Sequence, residues 1–251
     1  MTRRKLVVVL TAAVTLGACG DDGGEAAGDA IDSAETASAE AALVTAATGS
    51  VTASVPAMAA TQAAAAAGTY LSPPGCVTAT ASGATVTYTV NNCTGPAGLA
   101  LASGSFTATF AAATNAASVT LRGALQLRHG ALNLNTAAGV SVSGATRTLA
   151  ITTSSSGTGP NGRTATLRGG FTARYDGTCL QLDGAFTTTV SGVAWNATVT
   201  GYRRCANGCP SGSASFSTNA GRAVQVAYSG STSATVTTVG ATRTVTLVCG
   251  G

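Results

Sequence analysis

Two alternating runs, Val77-Thr78-Ala79-Thr80-Ala81 and Thr85-Val86-Thr87-Tyr88-Thr89-Val90, separated by Ser82-Gly83-Ala84, decide the fold of this chain. Every second residue is apolar and its neighbours are threonines, a period of two that sorts the classes onto opposite faces of an extended chain. Ser82-Gly83 is a turn signal, so the pair reads as a hairpin of half-buried strands. The same alternation returns in Phe106 to Phe110, Val119 to Leu121, Leu125 to Leu127, Leu132 to Leu134, Val140 to Val142 and Thr146 to Thr152. It continues in Ala165 to Leu167, Phe171 to Ala173, Leu180 to Leu182, Thr187 to Val190, Val193 to Thr200, Ala223 to Tyr228, Ala234 to Thr238 and Thr242 to Val248. Arg128-His129-Gly130, Ser143-Gly144, Pro160-Asn161-Gly162, Ser191-Gly192 and Val239-Gly240 punctuate these runs. The expected fold is all-β: an antiparallel meander of about a dozen strands, curled into an open barrel or folded as a two-sheet sandwich. Tyr88, Phe106, Phe110, Phe171, Phe186, Trp195, Phe216 and Tyr228 are the candidate core anchors, because arenes bury the most area per residue. Gly144-Ala145-Thr146-Arg147-Thr148-Leu149 recurs as Gly240-Ala241-Thr242-Arg243-Thr244-Val245, one match that does not make a repeat architecture.

Upstream of this β domain, assigned to residues 70–251, helix signals replace strand signals. Residues 32–69 read as an Ala-rich helical linker: Asp32 and Glu35 have capping-box spacing, Gly49 is a stop, and Ser54 with Pro56 starts a second short helix ending near Gly68. Residues 19–31 are Gly, Ala and acidic, a composition that buries too little apolar surface to order itself, and read as a flexible tether.

The first 18 residues are an export signal. Arg3-Arg4-Lys5 precede an apolar run from Leu6 to Leu16 that is too short for a membrane span and ends in small residues. Leu16-Gly17-Ala18-Cys19 resembles the lipobox of bacterial lipoproteins. That resemblance implies cleavage before Cys19, acylation of its thiol and new amino end by palmitate-like chains, and a mature protein tethered to a membrane of the cell envelope. Gly20, rather than Asp, follows the lipid-bearing residue, which in that family favours the outer membrane. The body, with its Asn91-Asn92-Cys93-Thr94-Gly95-Pro96 turn, Tyr202-Arg203-Arg204-Cys205 stretch and terminal Cys249-Gly250-Gly251, is similar to uncharacterised β-rich lipoproteins encoded in high-GC bacterial genomes. This likeness implies fold and location but brings no activity.

Charge is divided along the chain. Seven of nine acidic residues (Asp21, Asp22, Glu25, Asp29, Asp32, Glu35, Glu40) follow the anchor closely, leaving only Asp176 and Asp183 beyond. The ten basic residues after the signal are all arginines, from Arg122 onward. Such a body attracts polyanions, for which guanidinium offers planar bidentate contacts, and Arg203-Arg204 is the candidate binding pair. Equally, arginines spaced singly along strands keep a charge-poor body soluble. Export and the sparse aromatics exclude nucleic acid as a partner.

Six cysteines remain after Cys19: Cys76, Cys93, Cys179, Cys205, Cys209 and Cys249. An even, exported set reads as three disulfides, although six cysteines allow fifteen pairings. A turn near Ser191-Gly192 sets Cys179 opposite Cys205, Cys76 with Cys93 closes the first hairpin, and Cys209 with Cys249 is left by elimination.

Constellations for catalysis are missing. His129 is the sole histidine and reads as a turn residue; Asp176-Gly177 and Asp183-Gly184 also read as turns rather than an acid/base pair. Gly157-Thr158-Gly159-Pro160-Asn161-Gly162 spells a dinucleotide fingerprint, but Pro160 and the strand-like continuation remove the helix that would hold phosphates. The expectation is a non-enzymatic cell-envelope module with no cofactor and no metal, held at a membrane by its lipid and engaging an anionic glycan, a lipid or an envelope protein. The alternative is a carrier, in which the curled sheet holds a lipid or other hydrophobic ligand under a lid of Ala-rich helices.

Overall fold

The computed structural model describes residues 22–112, 117–128, 130–159, 162–206, 208–247 and 249. Three helices come first: α1 (Asp22–Thr48), α2 (Pro56–Ala65) and the single turn α3 (Ala67–Tyr70). Strands follow: β1 (Val77–Ser82), β2 (Thr85–Thr94), β3 (Ala100–Ala111), β4 (Ala117–Leu127), β5 (Gly130–Ser143), β6 (Thr146–Thr153) and β7 (Ser156–Thr158). The second half comprises β8 (Thr164–Tyr175), β9 (Cys179–Val190), β10 (Val193–Cys205), β11 (Ser211–Ser217), β12 (Ala223–Ser229), β13 (Ser233–Thr238) and β14 (Ala241–Thr246). All join one sheet whose order follows the chain, except that β7 branches off to pair with β5 and β8. Every pairing is antiparallel, as local turns between successive strands require.

The all-β meander is therefore present, with fourteen strands among the described residues rather than about a dozen. Several are longer than their alternating runs. Val119 to Leu121 and Leu125 to Leu127 belong to one strand, β4, and Ala165 to Leu167 and Phe171 to Ala173 to another, β8. Glycine inside each strand hides the continuity. Gly123 (φ 158°) and Gly169 (φ 126°) lie in extended conformations that side chains rarely adopt. A Cβ there would stand 2.5 Å from the Phe106 Cα and 3.2 Å from the Phe186 Cα, so each glycine accommodates the aromatic opposite it.

The sheet curls around α1. This helix touches β4 through β9, β11 and β12, strands far apart in the sheet order, so they must surround it. The 3-10 turn Pro96–Gly98 between β2 and β3 reaches α1, β9 and β10, while α2 covers β1, β2 and β3. From residue 26 to residue 48 all side chains of α1 are buried except Ile31 and Glu35, which are half-buried. β1 and β14, each six residues long, are the sheet edges. Arg243 of the β14 edge turns inward, its Nη1 3.5 Å from where a Cβ on Gly24 would sit, an inward charge of the kind that discourages edge-to-edge pairing.

Two expectations are corrected here. The acidic stretch read as a flexible tether over residues 19–31 is, from Asp22, the first part of α1, and the helix does not start at the Asp32 capping box. Composition misleads because the stretch is ordered from outside: its small Ala and Gly residues let the sheet approach closely, and Glu25 and Asp29 meet Arg163 just before β8. The helix is also not a lid, since it occupies the concave side that the carrier reading left for a ligand.

Large side chains fill the rest of the interior. Tyr88 stacks on Phe106 with centroids 4.5 Å apart, Tyr202 meets Tyr228 edge-on at 5.1 Å, and Phe171 tilts against Phe186 at 5.9 Å. Fully buried Leu43 of α1 and Leu121, Leu149 and Leu167 of the sheet each contribute about 1.5 to 3 kcal/mol of burial, far more than the alanines around them. Disulfides join Cys76 to Cys93, Cys179 to Cys205 and Cys209 to Cys249. Cys179 and Cys205 are direct register partners of the β9–β10 hairpin, as the turn at Ser191-Gly192 implied. Closing loops of these lengths is worth about 2 to 4 kcal/mol each, a useful supplement where core residues are small.

Candidate functional site

The curled sheet offers two surfaces with opposite chemistry. On the inner one, Asp29, Glu35 and Glu40 of α1 meet polar groups of the strands and of Arg163, which precedes β8, while Glu25 stays exposed. Arg163 donates through Nη1 to Asp29 at 2.7 Å and lies 3.6 Å from Glu25. Glu35 accepts the Arg204 guanidinium and, at 3.0 Å, the Tyr202 hydroxyl. Arg147 donates to the Thr48 carbonyl at 3.2 Å, where a cation complements the carboxyl end of the helix dipole. Burial pushes the Tyr202 and Tyr228 phenols far up, and the neighbouring Glu35 charge adds to the effect. Glu40 is wholly buried and accepts Thr153 Oγ1 at 3.0 Å. Its surroundings raise its carboxyl to about 7 through desolvation, opposed in part by the hydroxyls of Ser155, Thr153 and Thr136.

These contacts change the standing of Arg204. Proposed with Arg203 as a surface pair, it is instead turned inward, its side chain only 18% exposed and held by Glu35. Alternation explains it: adjacent residues of a strand face opposite ways, so only one of the two arginines points outward. Arg203 is that one, at 48% exposure, and it pairs with Asp176 at 3.2 Å. The run Arg-Arg gave no hint that one partner was reserved for the interior.

The two carboxylates of the body have structural partners. Asp176 closes the β8–β9 turn by accepting the backbone N–H of Cys179 at 2.7 Å and of Thr178 at 2.9 Å. Those two donors, followed by Arg203, hold it below the usual carboxylate range. Asp183 lies within β9 rather than in a turn, and accepts the Gly201 N–H at 2.7 Å and the Gln181 amide at 2.9 Å. Of the fingerprint-like residues, Gly157 and Gly159 give α1 room, since side chains there would collide with Thr36 and Asp32. Cys19, His129, Pro160 and Asn161 lie outside the described residues.

The outer surface is a field of hydroxyls crossed by arginine. Adjacent strands align Thr80, Thr87, Thr107 and Arg122, and, one step along, Ser82, Thr85, Thr109 and Thr120. Arg122, Arg168 and Arg174 all point outward and are exposed. Among the described residues none of these three has a carboxylate at ion-pair distance. Among the described residues, large exposed apolar side chains are confined to Val55, Met58, Val142 and Val239, and no helix is long and apolar enough to cross a membrane.

The class defined by this geometry is an antiparallel meander wrapped around its own amino-terminal helix and stapled by three disulfides. Comparison with known proteins returned no match: no family model fits the chain, and no curated protein or solved structure is significantly similar to it.

Proposed function

We propose that this chain is a non-enzymatic module of the bacterial cell envelope, held at a membrane by lipid on Cys19, that engages an anionic envelope glycan through the outer face of its sheet. The observation behind this reading is the division of charge: Asp29, Asp32, Glu35 and Glu40 of α1 are buried or half-buried, whereas Arg122, Arg168 and Arg174 stand outward with no carboxylate at ion-pair distance among the described residues. A solvated guanidinium set of one sign attracts polyanions over several ångströms and makes bidentate contacts with carboxylate or sulfate on arrival. The carrier reading has no comparable support, because α1 would first have to leave the concave side.

The test is affinity electrophoresis of the mature, oxidised protein through gels containing polygalacturonate or neutral dextran. Retardation by polygalacturonate alone, weakening as salt rises, is expected; unchanged mobility in both gels at low ionic strength contradicts the reading. The anchor has its own check. Cys19→Ala releases the exported chain from the membrane fraction into the soluble one, and persistence of the variant in the membrane fraction contradicts lipid attachment at this residue.

A further inference from the structure

Two positions on the outer face are built alike. Thr120-Leu121-Arg122-Gly123 of β4 and Thr166-Leu167-Arg168-Gly169 of β8 carry the same four residues, and the strand beside each supplies Phe-Thr. In the first, Phe106 lies opposite Gly123 and Thr107 opposite Arg122; in the second, Phe186 lies opposite Gly169 and Thr187 opposite Arg168. Thr107 donates its hydroxyl to the Arg122 carbonyl at 3.3 Å, and Thr187 donates to the Arg168 carbonyl at 3.1 Å. The glycine lets the partner phenylalanine fill the interior beneath, while threonine fixes the backbone that carries the arginine. Each unit is thus an arginine station with its stem set on a supported strand.

The stations share one row across the sheet. Arg122 faces Asn135 of β5, and the Asn135 side-chain amide donates to Ser154 Oγ at 2.5 Å. The register from Thr153 opposite Gly169 continues so that Ser154 faces Arg168, with the Leu167 N–H bonded to the Ser155 carbonyl at 2.8 Å. Three strand steps separate the two arginines, about 14 Å along the row. Between them lie only the amide and hydroxyl of Asn135 and Ser154, which hydrogen-bond a polar ligand without repelling its charge.

Resting on the binding reading above, we propose that Arg122 and Arg168 are twin contacts for one linear polyuronate-like polysaccharide draped across β4, β5, β6 and β8. A chain held at one station presents its next carboxylates to the other at high local concentration, so two modest contacts act as one stronger site. The occupant is a polymer rather than a bilayer because the row is convex and no large apolar residue is exposed along it, whereas a flat membrane meets a convex face only along a narrow strip.

The experiment uses the full mature chain and follows polygalacturonate affinity by gel retardation, with neutral dextran and phosphatidylglycerol vesicles as the other two probes. Arg122→Gln with Arg168→Gln is expected to weaken polygalacturonate binding at least tenfold and each single change several-fold, with the thermal midpoint unchanged. Arg122→Lys with Arg168→Lys, which keeps the charge but loses the planar fork, is expected to fall between wild type and the glutamine pair, and carries the test if that pair fails to fold. Wild-type binding that survives the glutamine or lysine pair at full strength overturns the twin-station proposal and leaves the module reading in place. Stronger binding to the vesicles than to polygalacturonate overturns the polymer as occupant. No binding of wild type to polygalacturonate overturns this proposal and the glycan reading together.

Discussion

Glu40 shows how a single side chain in this interior couples to solution conditions. Its carboxyl is buried on α1 against Thr136, Thr153 and Ser155, and Oε2 has no hydrogen-bond partner among the described residues. In the unfolded chain it titrates at the ordinary value of 4.5, whereas in the fold it titrates at about 7. The folded state therefore holds this proton more tightly, and the group's effect on stability becomes steadily less favourable as pH rises from about 4.5 to about 7. The shift corresponds to a penalty on the order of 3 kcal/mol above that window. Glu40→Gln keeps an acceptor for Thr153 and removes the charge. The variant should melt at the wild-type temperature near pH 4.5 and above it at pH 8; an equal difference at both pH values contradicts the assignment. The Arg204–Glu35 contact makes a second point at this scale. From sequence, Arg203 and Arg204 are indistinguishable, and only the alternation of β10, once its register is known, separates a solvent-facing arginine from a core one.

At the scale of elements, legibility follows the source of the order. Strand β12 is plain in the sequence because its burial alternates at every residue, and β2 is plain as far as Val90, before Asn91 and Asn92 interrupt its alternation. β4 and β8 are legible only as halves, because a glycine that serves the neighbouring phenylalanine looks locally like a break. β11 is hidden for another reason: Ser213-Ala214-Ser215-Phe216-Ser217 alternates, but its small polar residues give a weak signal, and buried Ala214 and Phe216 reveal it only in the fold. The helix α1 is half visible in the sequence: Gly49 marks its end at Thr48, whereas nothing local marks its start at Asp22. The first turns have no apolar periodicity of their own. They are helical because the sheet encloses them and Arg163 answers Asp29, and information of that kind lies more than 130 residues away. The disulfide map was more accessible, since strand alternation and turn position bring Cys179 and Cys205 together without knowledge of the core.

For the molecule as a whole, the arrangement inverts the usual division between a stalk and a body. The acidic segment is not a spacer set apart from a basic domain; from Asp22 it is part of the inner strut around which that domain is wound. Only Gly20 and Asp21 separate Cys19 from the first residue of α1. If Cys19 carries the lipid proposed above, so short a spacing would keep the sheet close to the membrane. The enclosure also accounts for the small residues of α1, because a helix of bulky side chains would not fit within contact of eight strands. The same enclosure predicts that α1 and the sheet unfold together. Native-state hydrogen exchange on the mature protein measures this directly. Amides of residues 26–48 should exchange with the same opening free energy as those of the central strands β9 and β10, since the helix is exposed only when the sheet comes apart. Exchange of α1 orders of magnitude faster than β9 and β10 would contradict the account, making the helix a removable plug and reopening the concave face to a ligand.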